Sequence, residues 1–513
     1  MSQPAQSPWR PLKAVLGGLV DVPERLEVSD ITQDSRGVVR GAAFLACQGR
    51  THHGLQFVDA AIAAGARAVI WEPAPGVNPP ALDPSVLVRA LPNLQAQLGY
   101  IADRFFDAPS ASMTVAGITG TNGKTTCAWL LAQALNLSGR RAAYIGTLGF
   151  GAPGEMRPLQ QTTPDAVTLQ RTLAGLRASG IDCVAMEVSS HALDQNRCAG
   201  MRMHTAVFTN LTHDHLDYHG DMDSYGATKA KLLNWPTLAA RVINIDDAFG
   251  LELARERLQG SSGAVRSRLF LTSQHPFEWL TSGADFVYTT AVRADTAGLE
   301  LEIRSSRGEA LLRSGLVGDF NVDNLLSVLA ILLAWDIPLE QAVSVLARCH
   351  APPGRMQPVG GGSKPLVLVD YAHTPDALSK ALHAARAHCE GRLWCVFGCG
   401  GERDAGKRAL MGQVAAQLAD EIIVTDDNPR RENPDRIVAA IMEGVIAAGA
   451  SWRVRVEHDR AEAIHTAVTG ASAGDVVLVA GKGHEDYQLV GAERRVFSDA
   501  AVVHKILTER AST

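Results

Sequence analysis

The chain has 513 residues, 46% of them apolar, which is enough for several packed cores and, by the usual size of a domain, about three domains. Its net charge of −6, with acids and bases interspersed, leaves no basic tract for nucleic acid and no polybasic membrane anchor. The eight cysteines lack the paired spacing of a zinc site, no signal pattern opens the sequence and no apolar run reaches about 18 residues, so a cytoplasmic protein with no nucleic-acid or membrane partner is expected.

Residues 1–108 read as a small α/β domain, in which an Ala-rich helix from Val58 to Ala64 ends at Gly65 and leads into the strand of "ARAVIWE". "DAPS" at 107–110 reads as a linker. Residues 109–349 alternate the strands of "MTVAGIT", "CVAMEV", "TAVFTN" and "RVINI" with amphipathic helices, the pattern of a mainly parallel sheet covered on both faces. "HAPPGR" at 350–355 stops a helix with two prolines and a glycine and reads as a second linker. Residues 350–513 then carry the strands of "LVLVDY", "LWCVFGCG", "EIIVTDD" and "DVVLVAGKG". The expected fold class is α/β in three domains: a central phosphate-loop-type, mainly parallel sheet flanked by an N-terminal α/β domain and a C-terminal Rossmann-like domain.

"GITGTNGKTT" (117–126) follows a strand and opens a helix reaching about Ser138, with Gly139 placed to end it. That context suits a phosphate cradle. Backbone N–H groups at the helix start attract anions, Gly117, Gly120 and Gly123 let phosphate oxygens approach, Lys124 adds a point charge and Thr125 a hydroxyl for Mg²⁺. Glu187 ends another apolar strand, where a carboxylate reaches a metal bridging nucleotide phosphates. "THDHLDYHGD" (212–221) invites a rival reading as a metal-dependent hydrolase, but Tyr218 breaks the His-x-His-x-Asp-His spacing. Lys229 and Lys231 both read as solvated helix lysines, and the spacing does not separate them.

"TDDNPRRENP" (425–434) follows the apolar strand 421–424 and, alone, is an ordinary polar turn before a helix from Arg436 to Ala448. Two further strands of the same segment end in "CGGERD" and "GKGHE". Parallel strands deliver their carboxyl ends to one edge, so Arg403, Asp427, Arg430 and Glu485 should meet. Arginines clamp carboxylates by paired donors and acids attract ammonium groups, a combination that suits a small zwitterion.

The loop Gly-x-x-Gly-Thr-Asn-Gly-Lys-Thr-Thr resembles that of the Mur ligases and their folylpolyglutamate synthetase relatives, and the resemblance runs from Ser35 to Glu485. It implies nucleotide contacts at Gly117, Gly120, Thr121, Asn122, Gly123, Lys124, Thr125 and Thr126, and at Asn321, Arg355, Asp370 and His373. It assigns Mg²⁺ to Thr125, Glu187, His215 and a Lys229 carbamylated by CO₂, with Lys124, Glu187, His215 and Lys229 catalytic. "QDSR", "RTHH", "QTTPDA" and "SSHALDQNR" resemble the segments holding UDP-MurNAc-L-Ala-D-Glu, which implies contacts at Gln33, Ser35, Arg50, Thr51, His52, Gln161, Thr162, Thr163, Ser189, Gln195 and Arg197. Gln161 and Arg50-Thr51-His52 depart from the usual Asn and His-Gln-Ala, and Thr162, Thr163 and Ser189 equally suit helix caps. Asp-Asn-Pro-Arg marks family members that add meso-diaminopimelate, so the resemblance implies a donor site of Arg403, Asp427, Asn428, Pro429, Arg430, Gly481 and Glu485.

The implied activity is ATP-dependent amide formation by a monomer with ATP as co-substrate and Mg²⁺ as cofactor. A carboxylate is a poor electrophile, and γ-phosphoryl transfer gives it a leaving group that an amine displaces. Adding L-lysine, or an ATP-driven switch that makes no bond, are the alternatives.

Overall fold

The computed structural model describes residues 9–49, 51–259, 267–277 and 283–509; Arg50 lies outside them. They fall into two compact units, one of Met1–Lys124, Gly139–Arg241 and Ser262–Ser267, the other of Thr125–Ser138, Val242–Ser261 and Arg268–Thr513.

In the first unit a four-stranded, wholly parallel sheet has the order Ile31–Thr32, Ala43–Ala46, Ala68–Trp71, Leu87–Ala90. Successive strand residues face opposite sides. Ala43, Leu45, Ala68 and Ile70 therefore pack on Leu94, Leu98 and Ile101 of the helix Leu94–Phe105, while Phe44, Ala46 and Val69 cover Val58 and Ala61 of the helix Val58–Ala63. Ala166 and Val167 of the helix Ala166–Ala178 join the first of these cores. The "DAPS" segment is consequently no loose linker. It forms a 3-10 turn, Pro109–Ser112, with Ser110 buried and accepting from Arg202 N, while Arg177 donates to the carbonyls of Phe106 and Asp107.

The other strands of this unit include, in spatial order, Thr205–Phe208, Thr114–Thr119, Cys183–Glu187 and Ala142–Gly146, all parallel, with Gly149–Gly151 added antiparallel. Register places Glu187 opposite Ile118 and Phe208 opposite Thr119, so the phosphate loop, Glu187 and the segment after Phe208 leave one edge.

The second unit departs from the parallel expectation at Arg268–Ser314. Arg268–Ser273 pairs parallel with Asp285–Asp295, but Gly298–Ser305 and Gly308–Ser314 continue as an antiparallel meander. Leu299, Leu301 and Ile303 are buried in alternation with charged neighbours, the period of a sheet with one wet face. The helix Phe320–Ala334 is buried on nearly all sides, and its second half, Val328 to Ala334, is wholly apolar, as such burial requires.

The C-terminal sheet is Rossmann-like. Its order is Gln357–Gly360, Leu366–Asp370, Val476–Ala480, Leu393–Phe397, Glu421–Val424, Val454–Val456, parallel except for the first strand. Helices cover both faces, through Leu378, Met411 and Ile441 on one and Ile464, Val468 and Val503 on the other. The helix after the Asp-Asn-Pro-Arg turn begins at Pro434, two residues earlier than expected, because Asn433 caps Asp435 N and proline suits the first helical position. "HAPPGR" is tied down too: Gln133 exchanges hydrogen bonds with the His350 backbone, and a side chain at Gly354 would overlap Gly483 and His484.

Candidate active site

The phosphate loop is braced by the segment after Phe208. Thr121 N donates to Asn210 O at 2.9 Å, Asn122 N to Asn210 Oδ1 at 2.9 Å and Thr209 Oγ1 to Asn122 O at 2.6 Å. Gly120 has φ +150°, and any Cβ there would overlap the Thr209 hydroxyl, so glycine is required. Lys124, the first residue of the helix Lys124–Leu137, folds back to the carbonyls of Gly120 (2.9 Å) and Thr121 (2.8 Å).

The structure separates the two lysines that spacing left equivalent. Lys231 is exposed and 3.5 Å from Asp194, whereas Lys229 is 1% exposed, donates to the same Gly120 carbonyl at 2.8 Å and lies over the Tyr225 ring. Burial, reinforced by the Lys124 charge, pushes the Lys229 ammonium down to about 6. It is therefore largely a neutral amine at pH 7. His215 heads the short helix Leu216–His219 in a left-handed conformation, half exposed, with His191 and Tyr225 edge-on to its ring. Among the described residues no three His, Cys, Asp or Glu side chains converge as a metal site.

Glu187 is buried and accepts from Tyr144 Oη, from Thr147 N at 2.9 Å and from Thr147 Oγ1 at 3.3 Å. From it a continuous network reaches most of the expected nucleotide-sugar residues. Thr162 bonds Thr147; Thr163 donates to Glu187 O and accepts from Ser189 N; Arg197 donates to Gln195 and Gln161 side chains and to Thr163 O. Helix capping falls to Asp165 rather than to Thr162 or Thr163, while Ser189 does cap its helix through Ala192 N. Gln33, Ser35, Thr51 and His52 make no hydrogen bond to this network. The segment before Gln33 and Ser35 is instead anchored by Arg171, which spacing did not single out: it donates to both Asp30 oxygens and to Ile31 O, each at 2.8 Å.

In the second unit Asn321 is buried and satisfied by Val317 O and Asn324, and Asp370 accepts from Met356 N and Ala372 N, which makes both braces of their own loops. Burial pushes the Asp370 carboxyl up. Arg355 stacks on Tyr371, its Nε without a partner, and Tyr371 also contacts the His373 and His484 rings.

The three C-terminal loops do meet. Asn428 donates to Glu485 Oε2 at 2.9 Å, Arg430 donates to Gly401 O at 2.8 Å, and Arg403 and Arg430 both border Gly400. Gly481, at φ +117°, sits beside Asp427 Oδ2, and the Pro429 carbonyl closes on Gly401. Arg430 has φ +53° and is held by backbone hydrogen bonds with Leu489 and Gly491 of a hairpin, Tyr487–Val490 and Glu493–Val496. Two features escaped the sequence reading. Arg408 forms a bidentate pair with Glu432 (2.7 and 2.8 Å) whose carboxylate also accepts from Glu402 N, clasping the two arginine loops. Lys482 is buried between Asp427, Asn428 and Glu485. It stands inside the quoted "GKGHE", but nothing in the spacing told a pocket lysine from a surface one.

A braced glycine-rich loop at a strand-helix junction, together with a separate parallel sheet whose carboxyl edge gathers arginines and acids, defines a nucleotide-using α/β enzyme that handles a charged second substrate. Sequence profiles match residues 27–106 (Mur ligase family, catalytic domain), 118–332 (Mur ligase middle domain) and 354–483 (Mur ligase, glutamate ligase domain). The UDP-N-acetylmuramoyl-L-alanyl-D-glutamate–2,6-diaminopimelate ligase of Ectopseudomonas mendocina is 48% identical over 94% of this chain and 95% of that protein. Its namesake from Pseudomonas aeruginosa is 47% identical, with coverage of 94% and 95%. A solved structure of a ligase with that name superposes with a TM-score of 0.74 at 33% identity, covering 98% of this chain and all of that one. The chain belongs to the Mur ligase family. It is an ATP-dependent, amide-bond-forming ligase.

Proposed function

We propose that the protein joins meso-diaminopimelate to UDP-MurNAc-L-Ala-D-Glu, at the expense of ATP, in cytoplasmic peptidoglycan precursor synthesis. The carrying observation is the meeting of Arg403, Arg430, Asp427, Asn428 and Glu485 at one sheet edge, in a chain nearly half identical to ligases named for this donor. Residues 1–108 would bind the nucleotide-sugar, 109–349 ATP and 350–513 the amino acid, in a monomer.

The acceptor carboxylate oxygen attacks the γ-phosphorus, ADP leaves, and an acyl phosphate results. The donor's neutral amine then attacks the acyl carbon, phosphate leaves with the bonding pair, and the amine loses a proton. The loop from Gly117 to Thr126, with Lys124, offers N–H groups and charge to the phosphates. Arg355, on its Tyr371 platform, and His373 supply further nucleotide contacts. Arg197, Gln195, Gln161, Thr162, Thr163 and Ser189 would contact the nucleotide-sugar, and Gln33, Ser35, Arg50, Thr51 and His52 are assigned to it by the family resemblance alone. Arg430 and Arg403 take the donor's carboxylates, while Asp427 and Glu485 favour its distal ammonium.

Thr125, Glu187, His215 and Lys229 would hold Mg²⁺. A charged Lys229 would oppose a divalent cation, but as a neutral amine it would add to CO₂ with loss of a proton, which turns a base into an oxygen ligand and would set three oxygen donors of the kind magnesium prefers beside the His215 imidazole. Bound there, the ion would neutralise phosphate charge.

The test is ADP release and product mass with ATP, Mg²⁺, the UDP-MurNAc dipeptide and each candidate amino acid. Turnover with meso-diaminopimelate well above that with L-lysine is expected. Turnover with lysine alone, or ATP hydrolysis indifferent to the acceptor, would overturn the reading.

A further inference from the structure

Lys482 has no solvent exposure, and its Nζ lies 3.4 Å from Asp427 Oδ1, 3.1 Å from Asn428 Oδ1 and 3.3 Å from Glu485 Oε2. The Tyr487 ring closes the remaining side, with its centroid 5.7 Å away. An ammonium has three protons to donate, and here three oxygens receive them. The carboxylates read above as attracting the donor's ammonium therefore already face one supplied by the protein. Of the neighbouring cations, Arg408 pairs with Glu432, and Arg460 pairs directly with Asp499 while its field also reaches Asp427 and Glu485 without a hydrogen bond to either. Lys482 is the counter-cation of Asp427 and Glu485. Asn428 links it to the arginine side, since its Oδ1 also accepts from Leu489 N in the hairpin that holds the Arg430 backbone.

We propose that Lys482 is a positioning and specificity-determining residue for the amino-acid donor. It holds Asp427, Asn428 and Glu485 in place before the donor arrives, and it offsets their charge so that the pocket prefers a donor with a second carboxylate. The inference rests on the reading of the donor as meso-diaminopimelate. That molecule and L-lysine share both amines and differ by one carboxylate. With Lys482 present, three cations (Arg403, Arg430, Lys482) face two carboxylates, and the excess positive charge favours the extra anion. Without it the excess disappears, and Asp427 and Glu485 are left to attract ammonium alone, which suits lysine.

The experiment measures kcat and KM for meso-diaminopimelate, L-lysine, ATP and UDP-MurNAc dipeptide in wild type, Lys482→Met and Lys482→Arg. In Lys482→Met the diaminopimelate KM should rise at least tenfold, with the ATP and dipeptide KM values within twofold of wild type. The ratio of kcat/KM for diaminopimelate over lysine should fall at least tenfold, and Lys482→Arg should recover part of it. An unchanged ratio, or a parallel loss for all three substrates, overturns the proposal, because loosened structure lowers both amino acids alike. If Lys482→Met does not fold, the same ratio is read on Lys482→Gln. Failure of the underlying reading is distinguishable, as it appears in the wild type, which would then release no ADP with diaminopimelate.

Discussion

Lys229 shows how much a single side chain owes to its surroundings. Its ammonium titrates near 6 when folded and near 10.5 when unfolded, because burial and the Lys124 charge disfavour the protonated form. Between those values the unfolded chain binds the extra proton, so this residue makes stability rise with pH across the window, and its penalty is complete below about 6. Lys229→Met in CO₂-free buffer should therefore be more stable than wild type at pH 6, by at least about 1 kcal/mol, with the gap narrowing towards pH 9. Urea titrations across that range check it, and a pH-independent gap would remove the neutral-amine account. Arg430 gives a second prediction. A lysine there cannot both reach Gly401 O and present a two-pronged donor, so Arg430→Lys should raise the diaminopimelate KM tenfold or more with the ATP KM unchanged. Steady-state kinetics decide it.

At the level of elements, the donor site depends on two helices that touch backbone to backbone. A side chain at Gly444 of Pro434–Ala447 would overlap Ala409 O in the helix Gly406–Leu418, and one at Gly412 would overlap Ile441 O. This close packing fixes the helix pair at which the Arg403 and Arg430 loops end. Gly444→Ala should push the pair apart, costing about 2 kcal/mol in denaturant unfolding and weakening amino-acid binding. The Arg408–Glu432 clasp secures the same loops. Its two hydrogen bonds, with that from Glu402 N, hold the Glu432 carboxyl down to about 2, so its contribution is present above about pH 4.5 and is lost as pH falls through 2. Arg408→Met should raise the diaminopimelate KM several-fold while leaving the nucleotide-sugar KM alone, a split that kinetics with each substrate varied in turn would show. The strand and helix sequence of this region was legible beforehand, because runs such as "EIIV" and "VVLVA" have one reading between turn residues. The meander over Asp285–Ser314 was not, although Leu299, Leu301 and Ile303 alternate: a long alternation of parallel strands and helices on either side hid a local change of period.

At the scale of the whole chain, Arg171 joins the N-terminal parallel sheet to the helix Ala166–Ala178 through Asp30 and Ile31 O. Arg171→Ala should leave a mostly buried carboxylate without its partner, cost about 1–3 kcal/mol and raise the nucleotide-sugar KM, with amino-acid kinetics preserved. Equal effects on both substrates would argue against this division of labour.

Spacing along the chain already carried the phosphate loop, the Glu187 strand end and the meeting of the three C-terminal loops, because each depends on local backbone geometry and on the shared direction of parallel strands. Which lysine is buried, which acid braces a loop and which arginine clasps two of them came only with the folded structure. Lys482 and Asp427 stand 55 residues apart, and Arg171 and Asp30 stand 141 apart. A side chain's solvation and its partners depend on what folding brings beside it from such distances, and no short motif encodes them.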